Sequence, residues 1–128
     1  MNARLADFLT IFFLAVALIF ASLDAKADTW DATDKVLGVT ALTLEVMDWG
    51  QTREIAKNPK QWYEKGHFLP EHPSVAEVNK HFISSIIMAT LIADALPSPY
   101  RKAWLASAIV FEFRSVRNNH LLGIKMSF

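Results

Sequence analysis

The chain contains no cysteine. Disulfides, thiolate catalysis and cysteine-held zinc are therefore excluded. Glycine is scarce and scattered, with four in 128 residues, so no glycine-rich phosphate loop can be assembled. Neither sign of charge is in excess: thirteen basic and thirteen acidic residues cancel. A nucleic-acid binder needs a basic face to displace counterions, so no nucleic-acid partner is expected. Ser74, Ser84, Ser85 and Ser98 have no Gly-x-Ser-x-Gly setting, which removes the usual nucleophile elbow. Long apolar runs are also few. Beyond the N-terminal segment, each is interrupted by a carboxylate: Glu45 within 36–47, Asp94 within 82–96 and Glu112 within 103–113.

What is present is apolar weight, at 52% of the residues. That is high for a soluble domain and moderate for a protein with several membrane spans. The length suits one domain. Residues 8–23 carry no charge, and only Thr10 and Ser22 break their apolar character. Arg4 precedes them and Ala25-x-Ala27 follows. This order reads as a signal peptide cut after Ala27. Uncut, the segment would be a signal anchor, close to the roughly 17–25 residues that cross a bilayer. Two regions are thus expected: 1–27 as signal peptide or signal anchor, and 28–128 as one helical-bundle domain. The expected destination is a bacterial inner membrane, with the periplasm as the alternative.

The rest of the chain reads as helices, giving an all-α fold. It is a small bundle of three to four long helices, with the N-terminal one a signal peptide or membrane anchor. Asp31 caps a helix from Ala32 to Lys57, and Gly50 could bend it. Asn58 and Pro59 then suit a short connector helix ending at Gly66. Ser74-Val-Ala-Glu77 is a capping box for a helix that runs until Pro97. Ser98 is the expected cap of a last helix that runs from Pro99 to about Arg117. If every helix spans, nine basic residues fall on the inner side and four on the outer, as the positive-inside rule requires. Trp30, Trp49, Trp62, Tyr63, Tyr100 and Trp104 lie near helix ends, as in an interfacial aromatic belt.

Carboxylates are the leading candidates for chemistry. Asp34, Gly38, Leu42, Glu45, Asp48 and Thr52 follow one another by three or four positions and share a helix face. Glu45 and Asp48 should sit side by side, facing Arg53, Lys80 or solvent. Asp94 is expected near Arg101, with a hydrogen bond from Thr90 possible, while Glu112 must find a cation away from its own first turn. The catalytic candidates are therefore Glu45, Asp48, Asp94 and Glu112. His67, Glu71, His72 and His81 form the densest set of ligand-type residues. Their spacing is not the helical His-Glu-x-x-His of a zinc site, so neither metal nor cofactor is expected.

The run Asp48-Trp49-Gly50-Gln51-Thr52-Arg53-Glu54-Ile55-Ala56-Lys57-Asn58-Pro59, followed by His72-Pro73-Ser74 and Val78-Asn79, resembles a group of small exported proteins of proteobacteria and their phages. Asn118-Asn119 and Gly123-Ile124 extend the likeness. The resemblance implies an envelope protein of bacterial or phage origin and supplies no mechanism. The function expected is a non-enzymatic integral membrane bundle, contacting lipid and packing against or modulating an envelope partner. The alternatives are a membrane enzyme using Asp48, Glu45 and Asp94, a periplasmic helical protein, or a channel component.

Overall fold

The computed structural model describes residues 28–65 and 68–128. The expected signal peptide or anchor and His67 lie outside them. Among the described residues the fold is all-α, with three long helices: α1 (Ala32–Lys57), α2 (Val75–Ala95) and α3 (Ser98–Leu121).

The expected Asp31 cap and the Ser74–Glu77 capping box both form, and Asp31 makes a full box with Asp34. The Asp31 carboxylate accepts from the Asp34 amide at 2.8 Å, and the Asp34 carboxylate accepts from the Asp31 amide at 3.2 Å. Ser74 and Glu77 repeat the exchange at the start of α2. Each box satisfies amides that the first helical turn leaves without partners.

Three local expectations need correction. No helix forms directly after Asn58, over residues 59–65. Its side-chain NH2 donates back to the Glu54 carbonyl and carboxylate. The Gln61 and Trp62 amides close one tight turn on the Asn58 carbonyl, and the chain then straightens. Ser98 is the first residue of α3, not its cap. The cap position is Pro97, which has no side-chain donor or acceptor, and the Ser98 hydroxyl accepts from Lys102 instead. Finally, α3 does not close at Asn118-Asn119 but runs to Leu121. It ends where Gly123 adopts φ 81°. The Ile124 amide bonds the Asn119 carbonyl and the Gly123 amide bonds that of His120. This is a Schellman closure, and it needs the left-handed residue that glycine supplies.

α1 is the central helix. It packs most on α3, less on α2, and α2 hardly touches α3. The contacts fix the directions. Asp34 meets Arg101 at one end, and Asp48 meets Asn119 toward the other, so α1 and α3 run parallel. Trp30 meets Asp94 and Trp49 meets Asn79, so α2 runs against α1. We call the end holding Asp31 and Arg101 the head, and the end holding Arg53 and Asn79 the foot.

α1 continues unbroken through Gly50. The glycine's lack of a side chain admits the C-terminal tail. A Cβ there would lie 2.7 Å from the Phe128 ring and 3.1 Å from the Met126 Cβ. The Ser127 amide donates to the Gly50 carbonyl at 3.0 Å.

Burial is mixed. Buried side chains on α1 are mainly polar: Asp34, Glu45, Asp48, Gln51 and Thr52, with Ala41 and Ile55 beside them. Val36, Val39 and Leu42 on the same helix are exposed. Ile83, Ile87, Met88 and Leu91 on α2 and Val110, Phe111 and Phe113 on α3 are exposed too. One apolar cluster is built on Ala41, Ala93 and Leu105 with Trp30, Leu37 and Trp104 around them; Val78, Phe82, Ile92, Leu96, Val116 and Ile124 are buried as well.

Candidate functional site

The buried polar residues form two clusters. At the head, Arg101 is fully buried and uses its whole guanidinium. Nη1 donates to Asp34 at 2.7 Å, Nε to the Ala93 carbonyl at 2.9 Å, and Nη2 to the carbonyls of Leu96 and Asp28. Only the planar fork of arginine supplies that many donors in one plane. Two of these carbonyls belong to the end of α2, so Arg101 caps that helix while pairing with α1. The Trp30 ring packs against the guanidinium, 5.1 Å from its centroid.

Lys102 adds a second cation, 2.7 Å from Asp31 and 3.2 Å from Asp34. Its hydrogen bond to the Asp31 carboxylate, followed by that from the Asp34 amide, lowers the pKa of Asp31. The head therefore holds ionised groups near neutral pH. It also solves a dipole problem. Arg101 and Lys102 sit in the first turn of α3, where a cation is disfavoured. The acids at the parallel N-terminus of α1 compensate.

At the foot, the stretch from Asp48 to Arg53 binds three other segments. Asn119 on α3 donates to the Asp48 carboxylate at 3.1 Å, and Gln51 donates to the Val116 carbonyl at 3.3 Å. Trp49 donates to Asn79 at 3.0 Å and stacks on Phe82, with ring centroids 6.2 Å apart. Arg53 reaches Asn79 at 2.5 Å and the Ser127 carbonyl at 3.1 Å. Thr52 is fully buried. The motif singled out in the sequence thus joins α1 to α2, α3 and the tail.

The expected residues sort as follows. Glu45 and Asp48 are both buried, so their face is turned from solvent, and Asp48 meets Asn119 on α3. Arg53 points to Asn79 and the tail. Asp94 is exposed and accepts from the Trp30 indole at 3.1 Å; Arg101 has gone to Asp34. Thr90 donates to the Ile86 carbonyl, not to Asp94. Glu112 is half-buried on α3. Glu71 and His72 are exposed in the loop before α2, while His81 packs edge-on against Phe82. Among the described residues no group of three His, Cys, Asp or Glu is placed to hold a metal. Sequence reasoning missed the buried roles of Arg101, Asn79 and Asn119. One signal was available: two cations in a first helical turn need acids brought from elsewhere.

Glu45 also lines a crevice of about 300 Å³ over α1, between α2 and α3. No protein-family model, curated protein or solved structure matches the chain.

Proposed function

We infer that this protein is an integral membrane bundle of a bacterial or phage envelope. Its role is to pack against or modulate a membrane partner, not to catalyse a reaction. Buried ionisable groups beside widely exposed large apolar side chains carry this reading. A soluble bundle places most large apolar side chains inside; here Asp34, Glu45, Asp48, Gln51, Thr52 and Arg101 are buried beside the apolar core, while large apolar side chains on all three helices are exposed. In lipid that is the favourable arrangement, because ionisable groups face the bundle interior and apolar groups face hydrocarbon.

Two further observations support it. α2 is long and apolar enough to cross a bilayer, and only 11% of its most apolar window is buried. A core helix of a soluble protein would be mostly buried. The basic residues also divide by end. Lys35, Arg101 and Lys102 lie at the head, while Arg53, Lys57, Lys60, Lys65, Lys80, Arg114, Arg117 and Lys125 lie toward the foot. The positive-inside rule then makes the foot cytoplasmic. Catalysis by Asp48 draws no support from its setting, since its carboxylate is buried and bonded to Asn119.

The test is alkaline carbonate extraction of bacterial membranes containing the full chain. An integral bundle stays in the pellet. Release into the supernatant would overturn the reading in favour of a peripheral or periplasmic bundle. A single cysteine at Lys60 should be labelled by an impermeant maleimide only after the inner membrane is opened.

A further inference from the structure

α2 and α3 both lie on α1 but barely meet each other. The crevice this leaves, about 300 Å³, is open along one side. Small residues make the room: Ala89 on α2 and Ala108 on α3, with Leu42 and Ile86 along the walls, while the Trp30 ring fills the space over Gly38. Lys35 marks the head end of the crevice and is exposed. Among the described residues no ion pair engages its ammonium, whereas Lys102 and Arg101 are committed to Asp31 and Asp34. Glu45 stands farther down α1, about 15 Å away at 1.5 Å per residue.

Size narrows the occupant. A helix with its side chains is about 10–12 Å across and cannot enter. The volume sits at the low end of ligand sites, roughly 300–1,000 Å³, and suits one flexible hydrocarbon chain. Charge narrows it further, because the rim offers an unengaged cation at the level of the head cluster. We propose that the crevice holds one acyl chain of an anionic phospholipid, with its phosphate against Lys35. The proposal rests on the membrane reading above. It adds a lipid site of defined position and headgroup sign.

The experiment uses the full chain reconstituted in phosphatidylcholine vesicles. These carry a small fraction of either phosphatidylglycerol or phosphatidylcholine with brominated acyl chains. Bromine quenches indoles it touches, and Trp30 and Trp104 line the crevice. Brominated phosphatidylglycerol should quench more strongly than brominated phosphatidylcholine. Lys35→Gln should weaken that preference about fivefold, from roughly 1 kcal/mol per lysine at an anionic surface. Ala108→Phe and Ala89→Leu fill the crevice from different helices. Each should abolish the excess quenching while helical circular dichroism stays unchanged.

Equal quenching by the two lipids in the unaltered protein overturns the proposal and leaves the membrane reading standing. So does an excess that survives both filling substitutions. Failure of the chain to enter vesicles removes the membrane reading itself, and the lipid site with it.

Discussion

Arg101 and Asp34 stand 67 residues apart in sequence, yet their side chains meet at 2.7 Å with neither exposed. This pair joins the N-terminal turns of α1 and α3, and its guanidinium also closes the C-terminal end of α2. Removing the arginine leaves a buried carboxylate and three carbonyls without their donor, a far larger loss than that of a surface pair. Arg101→Met should lower the thermal unfolding midpoint more than Lys102→Met does. Arg101→Lys should recover only part of the difference, since one ammonium cannot reach all four acceptors. Thermal melts followed by circular dichroism in detergent check the order.

The Asp31 carboxylate makes stability depend on pH. Its pKa is lowered, first by the hydrogen bond from Lys102. Its contribution is present above the unfolded aspartate value, about 3.9, and is lost as pH falls through the folded value. Unfolding midpoints should therefore be level at neutral pH and fall in acid. Lys102→Met should shrink that acid fall, as thermal melts across a pH series would show.

Asp48→Asn should be mild. The substituted amide can still present an oxygen to Asn119, which now donates across 3.1 Å. The expected cost is about 1 kcal/mol or less, the worth of one ordinary hydrogen bond. Phe82→Ala should cost about 3–5 kcal/mol, because Phe82 is 1% exposed and stacks on Trp49. Denaturant titrations of both variants test the contrast. An Asp48→Asn chain that fails to fold would contradict the contact described.

Gly50→Ala sets two effects against each other. Alanine gains about 1 kcal/mol of helix propensity over glycine. Its methyl group meets Phe128 and Met126, so the tail must shift. The expected result is little change in global unfolding with faster carboxypeptidase trimming of the last residues. Gly123→Ala should behave differently, losing about 1–2 kcal/mol because its φ of 81° is unfavourable for any residue with a Cβ.

The sequence alone determined the helices. Asp31 announced a cap, Ser74 and Glu77 a capping box, and Pro97 stopped α2. Those signals are local, acting within one turn, so they can be read without knowing the fold. The connector after Asn58 carries the local signals of a helix start, yet the chain closes only one turn there, on the Asn58 carbonyl, because a single turn fixes several residues for little hydrogen bonding. What tertiary structure decided was which side of each helix faces inward. The spacing of Asp34, Glu45, Asp48 and Thr52 put them on one face but could not say whether that face met water or protein. Parallel packing of α1 on α3 turned it inward, bringing Arg101 to Asp34 and Asn119 to Asp48. That choice left Val36, Val39, Ile87, Leu91, Val110 and Phe113 exposed, because a narrow bundle cannot bury both sides of its helices.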